Sequence, residues 1–243
     1  MGLLFDAYVG VDWMGRIADP LASNGILTIP DEELWAVRRH LKNKLVNFSN
    51  ERTRQQWHSG QLTPNQVVAG GLFLEPYSLT IGFARRFATY KRANLMFREF
   101  DRLIALITDP HRPVQIVFAG KAHPADEPGK LLIQEVYRAV KDSRSAGRLV
   151  FLEDYDINVA RYLVQGVDVW MTTPRRPNEA SGTSGMKAAI NGVLNFSVLD
   201  GWWREGFNGQ NGWAIGKDKE YANPEEQDAD DAYSLYDTLE KKI

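Results

Sequence analysis

The feature that most constrains this chain begins at Tyr77, where short apolar runs start to alternate with helical stretches. Ser78–Ala84, Val114–Ala119, Leu149–Leu152, Val167–Met171 and Val193–Val198 each read as a strand, because a near-continuous apolar run of this length implies burial on both faces. Between them, Arg92–Ile107, Gly129–Lys141, Ile157–Val164 and Gly185–Ile190 carry helical periodicity. Strand, helix, strand, helix with short connections predicts an α/β fold with a parallel sheet and flanking helices on both faces. Right-handed crossovers place every strand's carboxyl end at one edge of such a sheet, and ligands bind there. Functional residues are therefore sought just after each strand.

Residues 1–75 read as a helical lead-in and 76–243 as the α/β domain. After a turn-rich stretch around Pro20, Asn24 and Gly25, Pro30–Asp31–Glu32–Glu33 marks a helix start, with acids at the positive end of the helix dipole. Leu34, Val37, Leu41, Leu45 and Phe48 then form one apolar stripe, and Arg38, Arg39, Lys42 and Lys44 are expected to face solvent. Near the other end, Glu225, Glu226, Asp228, Asp230 and Asp231 are also expected to face water, ahead of a helical pattern through Tyr233, Leu235, Tyr236 and Leu239. The chain ends within that pattern without a cap or breaker, which reads as a domain truncated at its C-terminal end.

Composition excludes several chemistries. There is no cysteine, so no disulfide scaffold, thiol nucleophile or thiolate metal site is available. His40, His58, His111 and His123 show no ligand spacing, so no metal is expected. A net charge of −2 offers no global positive field for nucleic acid or a membrane surface. No apolar run approaches the roughly 20 residues of a membrane helix, and the first residues lack the pattern of a signal peptide. Cytoplasmic localisation is the expectation.

Two post-strand segments stand out. Arg85–Arg92 places four cations in eight positions at a strand-to-helix junction. A helix N-terminus already favours anions, and Arg with Lys completes a phosphate or carboxylate cradle. Glu179–Gly192 follows the strand at 167–171. Its small residues Ser181, Gly182, Thr183, Ser184 and Gly185 bring backbone N–H groups close to whatever lies at the helix start, a nest for a phosphate. Thr183 and Lys187 share one face of that helix. A lysine one turn inside it can hold a cofactor aldehyde as a Schiff base while the helix start holds the cofactor's phosphate. Pyridoxal phosphate has both groups; a packed turn with a surface lysine is the plainer alternative. Gly120–Pro124 lacks the spacing of a P-loop, and Asp154 or Asp156 reads as a helix cap.

The stretch Glu179-Ala180-Ser181-Gly182 through Met186-Lys187 to Asn191 resembles the pyridoxal-phosphate attachment signature of the glycogen, starch and α-glucan phosphorylases, with Ile190 where that family usually has Leu or Met. Arg85–Arg92 resembles the family's substrate-phosphate segment, Phe118–Ala122 its glycine turn, and Phe151–Tyr155 the segment whose tyrosine lies near the cofactor ring. Leu199–Trp203 with Gly212–Gly216 looks like the bacterial and archaeal subfamily. The resemblance implies a Rossmann-like domain, similar to the C-terminal lobe of a GT-B glycosyltransferase, preceded by a helical extension. It implies pyridoxal 5'-phosphate on Lys187, its phosphate gripped by Thr183 and the amides near Gly182, and its ring beside Tyr155. Arg86 and Lys91 would bind inorganic phosphate, with Arg85 adding positive field. Glu179, Ser181 and Gly182 would hydrogen-bond glucosyl hydroxyls. Lys187, Arg86 and Lys91 are thus the catalytic candidates, and α-1,4-glucan, inorganic phosphate and glucose 1-phosphate the implied partners. A homo-oligomeric parent is compatible with the family, and the family's acceptor-binding lobe is absent, so the chain alone is expected to be inactive.

Two rivals remain open at this point. Nucleotide-sugar glucosyltransferases of the glycogen-synthase kind resemble the chain in the Arg86–Lys91 spacing and in Glu179, but keep a second glutamate where this chain has Lys187. A non-catalytic carbohydrate-binding module is suggested by Trp202, Trp203, Phe207 and Trp213, residues that equally read as local packing.

Overall fold

The computed structural model describes residues 1–16, 19, 24–60 and 63–243. Pro20 lies outside them, and Asn24–Thr28 form a short 3-10 helix. The lead-in consists of α1 (Gly2–Tyr8), α2 (Asp31–His58) and α3 (Pro64–Ala69). Then follow β1 (Leu79–Ala84), α4 (Phe100–Ile107), β2 (Val114–Ala119), α5 (Glu127–Val140), β3 (Leu149–Leu152), α6 (Ile157–Gly166) and β4 (Val169–Thr172). The remaining elements are α7 (Thr183–Ala189), β5 (Leu194–Val198), α8 (Trp202–Gly206), β6 (Gly212–Ile215) and α9 (Pro224–Lys241).

All strand pairings are parallel, in the order β3-β2-β1-β4-β5-β6. That is the doubly wound, Rossmann-like arrangement, whose order reverses between β1 and β4. Side chains alternate across the sheet as the pleat requires. Ile81, Phe83, Ile116, Phe118, Leu149, Phe151, Val169 and Met171 pack on one face with residues of α4, α5 and α9. On the other face Val117, Ala119, Val150, Leu152 and Trp170 meet Leu45 and Val46 of α2 and Val159 and Leu163 of α6. Each fully buried side chain of this size contributes about 1.5–3 kcal/mol, so neither face can be left bare. Caps begin the helices: Asp126 accepts from Gly129 N at 2.9 Å and Asp156 from Val159 N at 2.8 Å. Among the described residues no helix is long and apolar enough to cross a membrane.

Several expectations need correction. The segment 92–107 is not one helix: Arg92 takes a left-handed backbone, Leu95–Glu99 is a 3-10 helix, and only Phe100–Ile107 is α-helical. β6 lies outside the expected strands: it is a four-residue edge strand, half-buried except at Ile215 and starting and ending against glycine, so it lacks the buried apolar run that marks β3 and β4. Of the α2 cations, Arg39 and Lys44 are exposed but Arg38 and Lys42 are buried. Four residues apart, they share the helix face that packs on the sheet. Arg38 donates to the carbonyls of Gln165, Val167 and Asn191, satisfying chain ends beyond α6 and α7. Lys42 Nζ donates to Ser78 O at 2.6 Å and Asp168 Oδ2 at 2.5 Å. In α9, Asp228 and Asp231 are likewise buried rather than solvated, because both are held by Arg92.

Removing one partner of a buried ion pair strands the other charge, at a cost of about 3–5 kcal/mol. Lys42→Met is expected to lower unfolding stability in urea by roughly this amount, since Asp168 is only 22% exposed. A change of about 0.5 kcal/mol or less, the size of a surface substitution, would show the pair to be energetically idle.

Candidate active site

The carboxyl ends of β1 and β4 are brought together by the chain reversal of the sheet. Arg85 follows β1 directly, and its N–H still pairs with Ala119 O at 3.1 Å. Successive side chains of an extended chain point to opposite sides, so Arg85 turns inward and Arg86 outward to solvent. Lys91 closes the 3-10 turn Thr89–Lys91 and is buried. Glu179, on the loop after β4, accepts at Oε2 from Arg85 Nη2 at 2.5 Å and from Lys91 Nζ at 3.0 Å. The three side chains are each 11% exposed or less.

Two cations around one carboxylate leave this crevice one anion short. Arg85 Nε and Nη1 are buried with no hydrogen-bond partner. An unmet buried donor costs about 1–3 kcal/mol, more when charged, and an anion is the partner such donors take best. The residues present therefore fit a phosphate group.

The remaining candidates lie around this cluster. Glu179 N donates to Asp200 Oδ2 at 2.8 Å, and Trp202 N donates to Ser181 O at 2.8 Å. Only glycine fits at 201, where φ is +54° and a Cβ would lie 2.6 Å from Ser181 O. Gly120 is required for the same reason, since a Cβ there would lie 2.1 Å from Arg85 O. Gly182, with φ +80°, precedes α7; Thr183 is its first residue and Lys187 stands one turn later. Thr183 and Lys187 are exposed, and Lys187 makes no side-chain hydrogen bond or ion pair among the described residues. Tyr155 is half-buried; burial pushes its hydroxyl above the ordinary phenol range while the nearby Arg85 charge opposes the shift. The structure thus joins Arg85, Lys91 and Glu179, and leaves Arg86 and Lys187 outside that ion cluster. Trp203 is buried between Trp202 and Phe207, with ring centroids 5.2 and 5.3 Å away, which is local packing.

Several residues that build the site were given no such part by sequence. Thr173 Oγ1 donates to the carbonyls of Lys91 at 3.1 Å and Arg92 at 3.0 Å, and Arg175 N donates to Tyr90 O at 2.6 Å. Arg92 in turn donates to Thr173 O at 2.9 Å, Pro174 O at 2.8 Å, Asp228 Oδ1 at 2.8 Å and Asp231 Oδ2 at 2.6 Å. Asp200 was within reach of sequence reasoning, because it follows β5 at the same sheet edge. Asp228 and Asp231 gave no such signal.

A crevice with unmet cationic donors at the switch point of a doubly wound parallel sheet defines a Rossmann-like α/β domain. More particularly, the chain belongs to the carbohydrate phosphorylase family, whose model matches residues 31–237. It is 45% identical over 240 residues to a glycogen phosphorylase of Aquifex aeolicus (strain VF5), covering 99% of this chain and 34% of that protein. It is 42% identical over 240 residues to a maltodextrin phosphorylase of Thermococcus litoralis, covering 99% of this chain and 28% of that protein. A glycogen phosphorylase of Mycobacterium tuberculosis is 42% identical over 227 residues, 93% of this chain and 26% of that protein. The chain spans about a third or less of the length of these curated relatives.

The two acids on Arg92 titrate in opposite directions. Burial pushes the Asp228 carboxyl up, but hydrogen bonds from Arg175 and Arg92 outweigh it and hold the carboxyl below its usual range. Burial raises Asp231 despite the opposing Arg92 charge. The folded state therefore binds fewer protons at Asp228 than the unfolded state does, so its stabilisation is present above about pH 4 and is lost as pH falls through the folded value. At Asp231 the sign is reversed, and its contribution weakens as pH rises through about 4. Urea unfolding at a series of pH values is expected to show a shallower acid loss of stability in Asp228→Asn than in wild type; parallel curves would contradict this assignment.

Proposed function

We propose that this chain is the cofactor- and phosphate-binding part of a cytoplasmic α-glucan phosphorylase, a glycosyltransferase that cleaves α-1,4-glucans with inorganic phosphate to give glucose 1-phosphate. The observation that carries this reading is the buried convergence of Arg85 and Lys91 on Glu179, with two Arg85 nitrogens still lacking a partner. The names of the relatives, glycogen phosphorylase and maltodextrin phosphorylase, support the same reaction.

In this reading Lys187 would hold pyridoxal 5'-phosphate, Thr183 and the amides beside Gly182 would grip its phosphate, and Tyr155 would contact its ring. When bound, that cofactor supplies a phosphate that exchanges a proton with the substrate phosphate. The chain's own residues do the binding and neutralising. Arg86 and Lys91 bind inorganic phosphate, the exposed Arg86 turning toward it, and Arg85 adds positive field from beneath. Two phosphates in contact repel strongly unless fixed cations offset their charge, and cations in a crevice screened from water do this best. Glu179 engages the cations through Oε2, which leaves Oε1 to accept from a glucosyl hydroxyl, alongside Ser181 and Gly182. Phosphorolysis belongs to the whole protein, and the 243-residue chain alone is expected to release no glucose 1-phosphate from maltodextrin.

Incubation with pyridoxal phosphate, borohydride reduction and peptide mapping is expected to place the adduct on Lys187 and to lose it in Lys187→Ala. Label that avoids Lys187 would sink the cofactor assignment. Tight binding of a nucleoside-diphosphate glucose without uptake of pyridoxal phosphate would instead favour a nucleotide-sugar glucosyltransferase.

A further inference from the structure

Among the described residues Arg92 is the arginine whose guanidinium donates to the most acceptors, four, and it has no role in the reading above. It is 2% exposed, directly follows Lys91, and takes a left-handed backbone with φ 44°. A non-glycine residue rarely adopts that conformation unless its surroundings impose it. Here the guanidinium donates to two carbonyls of the loop after β4, those of Thr173 and Pro174, and to two carboxylates of α9, Asp228 and Asp231. Thr173 returns the contact by donating to the carbonyls of Lys91 and Arg92, and Arg175 links the loops again through Tyr90 O and through its own ion pair with Asp228. The peptide carrying Lys91 is therefore held on both sides, while its ammonium reaches Glu179 on the far part of the same β4 loop.

A tie between α9 and the body would not need these groups. Buried ion pairs are often replaced by apolar residues without loss of stability, and α9 already buries Leu235, Tyr236 and Leu239. What the charges add is direction, since a guanidinium with four fixed acceptors specifies one orientation of the turn that precedes it.

Resting on the reading of the crevice as a phosphate cradle, we propose that Arg92, Asp228 and Asp231 are positioning residues for it: α9 acts through Arg92 to set where Lys91 and Glu179 meet. Displacing any of the three lets Lys91 move away from Glu179 and from the anion.

The test uses the full chain, inorganic phosphate as the probe, and two variants of α9. Asp231→Asn keeps the shape but removes the charge; Tyr236→Phe removes the buried hydroxyl bond to Met96 O and leaves Arg92 untouched. Isothermal titration is expected to show phosphate affinity reduced about tenfold in Asp231→Asn, the scale of one charge-assisted hydrogen bond, and unchanged in Tyr236→Phe. Competitive acetylation followed by mass spectrometry is expected to find the Lys91 amine slow in wild type and Tyr236→Phe, and faster in Asp231→Asn. Unchanged affinity and unchanged Lys91 reactivity in a folded Asp231→Asn would overturn the proposal, as would equal losses in both variants, which mark a purely structural role. Should Asp231→Asn not fold, Asp228→Asn carries the same two readouts and decides between the same outcomes. If wild type binds no phosphate, the cradle reading itself fails, and the Lys91 reactivity then decides the positioning claim alone.

Discussion

The parallel pairing of β1 with β4 is the contact on which the site depends. It is short, with Ile81 opposite Val169 and Gly82 opposite Trp170, against the six-residue pairing of β1 with β2. A doubly wound sheet reverses direction at this seam, and the loops that leave it diverge to opposite faces, which opens the crevice. A seam so short would hold its loops loosely by ladder bonds alone. Side chains reinforce it at both ends. At the amino end Asp168 Oδ2 accepts from Thr80 N at 2.8 Å and from Lys42 of α2. At the carboxyl end Thr173, Arg175 and Arg92 bind the two departing loops to each other and to α9.

The molecule thus places an unusual amount of charge out of water: Arg38, Lys42, Arg85, Lys91, Arg92, Asp228 and Asp231 are all buried. Desolvation makes such groups costly, and their mutual attraction offsets that cost only when the geometry is good and the remaining polar atoms are satisfied. Nearly all of these groups meet that condition: Arg38 through carbonyls, Lys42 and Arg92 through carbonyls and carboxylates, Lys91 through Glu179, and Asp228 and Asp231 through arginine. Arg85 is the exception, with two bare nitrogens. Among the described residues, the buried side-chain donors left without a partner are those of Arg85 in the crevice.

Much of the fold was legible in the order of residues. Apolar runs at β1 through β5, the capping acid at 156 and the acidic start of α2 are local signals, and each of these elements formed where its signal lay. That the segments 85–92 and 179–191 stand at the same sheet edge was legible from position after a strand, and the structure brings Arg85, Lys91 and Glu179 of these segments into contact. Misreadings arose where a residue's partner lies far along the chain. Arg38 and Lys42 pair with groups more than 120 residues away, and Arg92 with acids 136 and 139 residues away. Periodicity reports which face of a helix is apolar, and it assigns a cation on the edge of that face to water by default.

What the sequence by itself determined is the alternation of strands and helices, the sheet edge at which the strands' carboxyl ends gather, and the family to which Glu179–Asn191 ties the chain. The first two follow from side-chain periodicity and local backbone preference, which need no knowledge of distant neighbours; the third rests on the resemblance of that motif and on the family match. Only the tertiary structure decided that Arg85, rather than Arg86, shares Glu179 with Lys91, and that the acids of α9 stand behind that pair. The reason is electrostatic. A charge is exposed or buried according to whether the fold supplies its counter-charge, and that is a property of three-dimensional proximity, not of order along the chain.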